Sequence, residues 1–279
     1  PNPEEAGALD MAIEQARAED ADLIIAVDPD ADRCALAVPD PAAEAGWRPL
    51  SGDQIGCLLG EFLASRGIQG SLANSIVSSR LLARIAHAHG LAHHTTLTGF
   101  KWIARAPELA FGYEEAIGFC PNPAIARDKD GIASSVVAAS LFAALKTEER
   151  TAWDELDRLA HAHGLHVTGP LTFRVEEIEQ IATGMARLRA QPPSELAGSP
   201  VVEVSDLSEG YQGLPPTDGV LVLTKAGDRV IARPSGTEPK FKCYLEVILP
   251  APEGEPVPWD EAYKRLELIK REFGQIIGL

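Results

Sequence analysis

The sequence predicts an α/β fold with mixed sheets, followed by a C-terminal α+β domain. Over the first 150 residues, short apolar runs of strand length alternate with helical patterns, which is typical of parallel or mixed sheets covered by helices. After residue 165 the pattern becomes a strand, a helix, four strands and a final helix. With 279 residues, 45% of them hydrophobic, the chain can bury cores in more than one domain. We therefore expect domains at 1–50, 51–150 and 165–279, with a connector helix over 151–164.

The first elements have clear local signals. A helix is expected over Pro3–Ala18, because Asn2 can cap its N-terminus and proline suits the first helical position. The apolar runs Leu23–Val27 and Cys34–Val38 predict two buried strands joined by an acidic loop.

The next elements alternate between helix and strand. Ser51 and Gln54 have the spacing of a capping box, which predicts a helix that reaches Arg66. The remaining expected elements are strands at Ser71–Val77, Thr95–Thr98, Leu109–Tyr113 and 165–174, and helices at Arg80–His89, Gly131–Lys146, 176–190 and 258–274.

Charge and cysteine content exclude several functional classes. The chain has 41 acidic and 25 basic residues and a net charge of −16, which repels nucleic acids and anionic membranes. No apolar run approaches the roughly 18 residues that a membrane helix needs. The four cysteines lie far apart, which argues against a zinc knuckle or a disulfide framework and predicts a cytoplasmic protein.

An acidic loop follows the first predicted strand. Asp28, Asp30 and Asp32 alternate along it, and three crowded carboxylates repel one another unless a cation lies among them. A divalent metal loop is therefore favoured over a solvated acidic turn. An EF-hand loop that starts at Asp28 would require glycine at position 33 and glutamate at position 39. This sequence has Arg33 and Pro39 there, so it does not fit an EF-hand. A haloacid-dehalogenase-type phosphatase would ordinarily have threonine or valine at position 32.

A second candidate segment runs from Ile231 to Lys242. It is a strand that leads into a glycine-containing loop with an arginine, two hydroxyl side chains and two lysines. Such a loop can bind a phosphate, because arginine contacts it bidentately while hydroxyls and backbone amides bind the remaining oxygens. In a chain of net charge −16 this concentration of cations favours phosphate binding over a basic surface turn.

A third segment carries polar residues whose role the spacing leaves open. Lys101 follows a Thr-Gly-Phe sequence, and Glu114 and Glu115 follow a predicted strand. The glutamates can bind sugar hydroxyls and the lysine can bind an anion, but each can equally be a solvated side chain.

Together and in this order, the three segments resemble the α-D-phosphohexomutase family, the phosphoglucomutases and phosphomannomutases. The segment 28–33 resembles the magnesium loop of the family's second domain. The segments 99–102 and 113–118 resemble the sugar-recognition segments of the third domain, and 233–237 resembles the phosphate loop of the fourth. The resemblance covers essentially the whole chain.

The resemblance implies a set of site residues. Mg²⁺ would be held by Asp28, Asp30 and Asp32, and Arg33 would act at the reacting phosphate or sugar. The sugar would be bound by Gly99, Lys101 and Glu114. The non-reacting phosphate would be bound by Arg233, Ser235, Gly236 and Thr237.

The resemblance also implies a fold and an activity. Residues 1–50 would be part of the second α/β domain, 51–150 the third, and 165–279 the fourth, an α+β domain like the TATA-box-binding protein. The implied reaction is Mg²⁺-dependent phosphoryl transfer between C1 and C6 of a hexose phosphate through a bisphosphate intermediate. A glucose 1,6-bisphosphate-type activator is implied as well, with no nucleic acid or membrane partner.

Two departures from the family pattern shape these expectations. Ala116 stands where many members have serine, which suits the branch that handles glucose, mannose or pentose phosphates. The family's first domain carries a phosphoserine in a Thr-Ala-Ser-His-Asn-Pro-like loop, and this sequence has no such context. Because the chain also starts at Pro1 without methionine, we expect the C-terminal half of a longer mutase, inactive without its N-terminal half. Alternatives are a phosphopentomutase of the same family, a non-catalytic sugar-phosphate-binding fragment and a metal-dependent phosphatase.

Overall fold

A computed structural model describes residues 2–174, 178–234 and 240–278. The chain forms two compact units, Pro1–Arg158 and Leu159–Leu279. The expected combination of α/β and α+β architecture is confirmed. In the described ranges, no helix combines the length and the apolar character needed to cross a membrane.

The first sheet of the first unit is antiparallel and has three strands in sequence order. They are β1 (Ile24–Val27), β2 (Cys34–Pro39) and β3 (Trp47–Pro49). Helix α1 (Asp10–Ala18) covers one face of this sheet, where Ala16 packs in a cluster with Ile24 and Trp47. The side chains of the acidic loop therefore emerge from a short hairpin between β1 and β2.

The first helix begins later than the sequence predicts. Asn2 caps a turn, because its Oδ1 accepts a hydrogen bond from the Glu4 N–H at 3.1 Å. Gly7 then has φ +80°, which a right-handed helix cannot contain, so the helix starts only at Asp10. The strand predicted at Leu23–Val27 is only partly buried, since Ile24 is buried but Ile25 is 36% and Val27 43% exposed.

The second sheet of this unit is mixed. It contains β4 (Ser71–Ser75), β5 (Ala92–Thr96), β6 (Leu109–Glu114) and β7 (Gly118–Cys120), in the order β5-β4-β6-β7. β4, β5 and β6 are parallel and β7 is antiparallel to β6. The carboxyl ends of β4 and β6 consequently lie at the same edge, and Glu114 is the last residue of β6.

Four helices accompany this sheet. They are α2 (Gly52–Ser65), α3 (Leu81–Ala88), α4 (Phe100–Ile103) and α5 (Gly131–Thr147). Helix α6 (Ala152–His163) follows them in the chain and contains the boundary between the two units. The capping box predicted for α2 is present, with both Ser51–Gln54 hydrogen bonds formed. A Cβ on Gly56 would lie 2.5 Å from the Tyr113 ring, so glycine lets α2 approach β6 closely.

The second unit contains one antiparallel sheet of six strands with helices on one face. The strands are β8 (Leu165–Arg174), β9 (Glu195–Leu196), β10 (Ser199–Asp206), β11 (Val220–Thr224), β12 (Arg229–Pro234) and β13 (Lys240–Leu249), in the order β8-β13-β12-β11-β10-β9. Helices α7 (Ile178–Ala190) and α8 (Trp259–Ile277) bury a core that includes Val222, Phe241 and Phe273. The two-residue β9 is a strand that the sequence did not predict.

Candidate active site

The acidic loop brings its three alternating carboxylates together. The Ala31 N–H donates to the Asp28 carbonyl at 2.9 Å, and Ala31 itself has φ +56°, so the chain turns sharply between the aspartates. One carboxylate oxygen each from Asp28, Asp30 and Asp32 lies within 4.8 Å of the other two. This spacing allows a single cation to contact all three.

Asp28 is the buried anchor of this loop. Its side chain is 1% exposed and accepts hydrogen bonds from the Arg33 backbone N–H at 3.0 Å and from Arg33 Nε at 2.6 Å. Burial by itself would raise the pKa of Asp28, but the two hydrogen bonds and the charge of Arg33 outweigh it and lower that pKa below 3.8. Asp30 is exposed and Asp32 partly so, which leaves their oxygens accessible to a ligand.

A lysine that the sequence analysis missed completes the charge pattern. Lys129 Nζ lies 3.0 Å from Asp32 Oδ2 and 5.5 Å from the centre of the Phe100 ring. Burial would lower the pKa of Lys129, but Asp32 and the neighbouring carboxylates raise it above its ordinary value. The Asp-Lys-Asp-Gly sequence directly before α5 is the signal that could have identified this residue.

The start of α5 holds the acidic loop in place through its backbone. The Gly131 N–H donates to the Ala31 carbonyl at 3.0 Å, and Asp130 caps the helix by accepting from the Ala133 N–H at 2.8 Å. A Cβ on Gly131 would lie 2.5 Å from the Arg33 carbonyl oxygen and 2.7 Å from that of Ala31. Only glycine permits this approach, so the position of Lys129 depends on Gly131.

Glu114 joins this group through the β6–β7 hairpin. The Cys34 N–H donates to the Ile117 carbonyl at 3.0 Å, which ties the hairpin to the end of the acidic loop. A Cβ on Gly118 would lie 3.0 Å from Glu114 Oε1 and 2.5 Å from Lys129 Cδ, so both side chains lie over this glycine.

The Glu114 carboxyl is partly protonated near neutral pH. Burial first, and the charge of Glu115 second, raise the pKa of Glu114 from 4.5 to about 7, against the opposing effects of Lys129 and Arg33. A carboxyl in this state can both donate and accept a hydrogen bond, which suits the recognition of hydroxyl groups.

Glu115 has a different role from its neighbour. Its Oε2 accepts hydrogen bonds from Ser75 Oγ at 3.0 Å, at the end of β4, and from Ser78 Oγ at 2.9 Å, in the turn that follows. Its backbone carbonyl lies so close to Gly52 that a Cβ there would clash. Glu115 thus fixes the hairpin turn, while Glu114 faces the acidic loop. The sequence did not separate the two glutamates.

The segment around Lys101 lies beside this group. Gly99 precedes α4 with φ +103°, a conformation that favours glycine. Phe100 is buried below the Lys129 ammonium, whereas Lys101 is exposed and its Nζ lies 5.8 Å from the centre of the Trp102 ring. The first unit therefore brings together the acidic loop, Arg33 and Glu114, with Lys101 at the periphery.

The predicted phosphate loop belongs to the second unit. Arg233 is a half-buried residue of β12 and pairs in register with Lys242 of β13. Ser235, Gly236 and Thr237 lie outside the described residues. Binding of a phosphate by this loop stays a prediction.

Comparison with known families places these features in context. Residues 1–42 match the description "Phosphoglucomutase/phosphomannomutase, alpha/beta/alpha domain II", and residues 51–162 match domain III of the same series. The fold and the acidic site therefore define a chain built from phosphoglucomutase/phosphomannomutase domains. This agrees with the resemblance seen in the sequence motifs. The chain belongs to the α-D-phosphohexomutase family.

Individual relatives and structures agree with this assignment. A Haemophilus influenzae protein named "Probable phosphomannomutase" is 44% identical over 248 residues, which cover 88% of this chain and 50% of that protein. Human phosphopentomutase is 30% identical over 313 residues, which cover 100% of this chain and 49% of the human protein. The structure of parafusin (phosphoglucomutase) from Paramecium shares the fold, with a TM-score of 0.69 at 18% identity over 100% of this chain and 51% of that one. The chain thus spans about half the length of the curated relatives that it matches.

Proposed function

We propose that this chain supplies the metal, sugar and phosphate sites of a Mg²⁺-dependent phosphohexomutase. The reaction would transfer a phosphoryl group between C1 and C6 of a hexose phosphate through a bisphosphate intermediate. One observation carries the proposal: Asp28, Asp30 and Asp32 converge beside Arg33, Lys129 and Glu114. Relatives named as phosphomannomutase and phosphoglucomutase support it.

The donor set of the acidic loop fits Mg²⁺. Mg²⁺ prefers carboxylate oxygens and keeps several ligand positions for water and substrate phosphate. One buried and two accessible aspartates match that preference, because three carboxylate oxygens would fill only part of the ligand positions of Mg²⁺. Bound there, the ion would neutralise charge that develops on the transferring phosphoryl group.

The remaining residues of the first unit would orient the substrate. Arg33 and Lys129 already lie within 3.0 Å of aspartate oxygens, so both cations are close enough to share a phosphate that approaches the loop. Glu114 would bind sugar hydroxyls, since its carboxyl faces the same region. Gly99 and Lys101 would contact the sugar or its phosphate from the side.

The mutase reaction requires a second phosphate site. One phosphate reacts while the other is held at a distance, and the bisphosphate must turn around between the two transfers. We assign the non-reacting phosphate to Arg233, Ser235, Gly236 and Thr237, the basic segment of the second unit. A glucose 1,6-bisphosphate-type activator would use the same two sites.

The phosphoserine that receives and donates the phosphoryl group would come from elsewhere. The sequence has no serine in the family's phosphoserine context, and the chain spans about half of its relatives. We therefore propose that an N-terminal half provides the nucleophile and that the isolated chain has no mutase turnover. The four buried cysteines are thiols, which fits a cytoplasmic location for the complete enzyme.

A pentose phosphate is the second candidate substrate. The match to human phosphopentomutase covers the whole of this chain, and relatives named as phosphoribomutases match it as well. Ala116 lacks the hydroxyl that many family members offer to the sugar. Turnover of ribose 1-phosphate, glucose 1-phosphate and mannose 1-phosphate by the complete enzyme would separate these substrates.

Asp30→Asn tests the metal site directly. Asp30 is exposed, so the variant should fold normally while losing Mg²⁺ binding in calorimetric titration and turnover in the complete enzyme. Asp20→Asn is the matched control, because Asp20 is also exposed and its φ of +51° tolerates asparagine. Equal Mg²⁺ affinity in both variants would remove the metal assignment.

Two other results would favour the alternative functions. Release of inorganic phosphate by the isolated chain would favour a phosphatase, and ligand binding without turnover in the complete enzyme would favour a binding fragment.

A further inference from the structure

A buried carboxylate lies at the start of α2, next to the β6–β7 hairpin. Asp53 is 7% exposed, and its Oδ1 accepts hydrogen bonds from the Ser79 N–H at 2.7 Å and from the Tyr113 hydroxyl at 2.8 Å. The N-terminus of α2 does not need this carboxylate as a cap, because Ser51 and Gln54 form the capping box. Burial of a charge is unfavourable unless it is hydrogen-bonded, so these contacts outside α2 indicate another role for Asp53.

The hydroxyl of Tyr113 is likewise more than packing requires. Its ring is fully buried against Gly56 of α2, in a space that phenylalanine would also fill. Burial first, and the charge of Asp53 second, raise the pKa of Tyr113 well above its ordinary value, so the hydroxyl keeps its proton and donates a hydrogen bond to Asp53. Because a buried hydroxyl must be hydrogen-bonded to be tolerated, this pair is a specific link between β6 and α2.

Both neighbours of Glu114 are held on the same turn, residues 75–79, at the end of β4. Glu115 accepts hydrogen bonds from two serines of this turn. Tyr113 is linked to the last residue of the turn through Asp53. The hairpin is therefore attached to the turn on either side of Glu114.

The turn is a well-fixed support. Asn74 Nδ2 donates to the Ser79 carbonyl at 2.8 Å, and the Ser78 N–H donates to the Ser75 carbonyl at 3.0 Å. Since its two neighbours are attached to this support, Glu114 has little freedom to turn away from the acidic loop.

We infer that Asp53 is a positioning residue for sugar binding: with Tyr113 it clamps the β6–β7 hairpin to the turn after β4 and so sets the direction of Glu114. This inference rests on the proposed function, in which Glu114 binds sugar hydroxyls. Loss of the clamp should weaken binding of a sugar phosphate and leave binding of a phosphate without a sugar unchanged. A merely structural contact would lower both affinities or neither.

Four variants of this chain separate positioning from general stability. Asp53→Ala removes the acceptor, whereas Asp53→Asn keeps an Oδ1 that can accept the same hydrogen bonds. Tyr113→Phe removes only the hydroxyl and decides the test if Asp53→Ala does not fold. Ser71→Ala is the matched control, because Ser71 is also buried and its Oγ donates to the Pro107 carbonyl at 2.5 Å, at the start of β4 and so at the opposite edge of the sheet.

Amide hydrogen exchange measures the clamp without any ligand. The Cys34 N–H donates to a hairpin carbonyl at 3.0 Å, whereas the Leu91 N–H, just before β5, donates to a carbonyl of α3 at 2.8 Å. In Tyr113→Phe the exchange rate of the Cys34 amide relative to that of Leu91 should rise about tenfold or more. In Asp53→Asn and Ser71→Ala this ratio should remain close to that of the parent.

Calorimetric titration with glucose 1-phosphate and with inorganic phosphate measures the effect on the site. Asp53→Ala and Tyr113→Phe should weaken glucose 1-phosphate binding about tenfold and leave the affinity for inorganic phosphate unchanged. Asp53→Asn and Ser71→Ala should bind both ligands as the parent does.

The outcomes separate the positioning role from the proposed function. Equal exchange ratios in Tyr113→Phe and Ser71→Ala would overturn the inference, and so would unchanged glucose 1-phosphate affinity in a variant whose hairpin exchanges faster. Equal losses of affinity for glucose 1-phosphate and inorganic phosphate would also overturn it. A parent chain that binds no glucose 1-phosphate would contradict the proposed function, and the exchange ratio would then decide whether Asp53 holds the hairpin.

Discussion

Two half-buried ionisable groups of the first unit should oppose each other in the pH dependence of stability. His93 lies on β5 with its Nε2 3.0 Å from Asn74 Oδ1, and burial, with a smaller contribution from His94, lowers the pKa of His93 from 6.5 to about 4. For Glu114, burial and Glu115 raise the pKa from 4.5 to about 7. We predict that His93→Gln and Glu114→Gln change the pH dependence in opposite directions.

The signs follow from which state binds the proton more tightly. The His93 pKa is lower in the folded state, so its contribution to stability is complete above pH 6.5 and is lost as the pH falls towards 4. The Glu114 pKa is higher in the folded state, so its contribution is complete below pH 4.5 and is lost as the pH rises through 7. Between pH 4.5 and 6.5 the two effects therefore cancel in large part.

The magnitude follows from the pKa differences. Each pKa unit corresponds to about 1.4 kcal/mol, and residual solvent contact reduces the effect, so each variant should shift the stability difference across this interval by about 1–3 kcal/mol. In His93→Gln the free energy of unfolding should fall with rising pH. In Glu114→Gln it should rise with pH.

Urea unfolding followed by tryptophan fluorescence provides the measurement. Trp47, Trp102 and Trp153 lie in the first unit and Trp259 in the second, so Trp259→Phe in all proteins restricts the signal to the first unit. Parallel pH profiles for the parent and both variants would refute the reasoning. Direct NMR titration of His93 would then show whether burial lowers its pKa at all.

Three further predictions concern other parts of the site. Asp28→Asn should lower the free energy of unfolding of the first unit by about 1.5–3 kcal/mol, because it removes a buried charge-assisted partner of Arg33, and a urea midpoint equal to that of the parent would contradict this. Gly131→Ala should cost about 1–3 kcal/mol by separating α5 from the acidic loop, with weaker Mg²⁺ binding in calorimetry; unchanged stability and affinity would contradict it. Arg233→Ala should weaken glucose 1-phosphate binding about tenfold to a hundredfold, whereas exposed Lys225→Ala should not; equal affinities would make the basic segment a surface turn.

Features that depend on neighbouring residues in the sequence were predicted well. The capping box of α2 involves only Ser51 and Gln54, and both of its hydrogen bonds are present. The convergence of Asp28, Asp30 and Asp32 follows from alternation in a short turn, so the sequence suffices for it as well. Helix α5 was predicted from Gly131 to Lys146 and ends one residue later.

Features that depend on distant parts of the chain were not predictable in the same way. Lys129 reaches Asp32 only because α5 packs on the acidic loop, a contact between residues almost a hundred positions apart. The distinct roles of Glu114 and Glu115 depend on Ser75 and Ser78, which β4 places at the same sheet edge. The late start of α1 differs, because Gly7 is a local feature, but its left-handed φ of +80° appears only in the folded chain.

The distribution of charge bears on how an acidic protein would accept the proposed phosphate. With a net charge of −16, the chain as a whole repels phosphate groups, and the acidic loop by itself would be the least favourable place for one. Arg33 and Lys129 offset part of the charge of the three aspartates, and the raised pKa of Glu114 reduces its negative charge near pH 7. Asp128 also lies 3.5 Å from Lys129 Nζ, so four aspartates outnumber the two cationic side chains and the two charges of a divalent cation would offset the remainder. In the proposed enzyme the loop would therefore repel a phosphate least when the metal is bound, which couples substrate binding to metal binding.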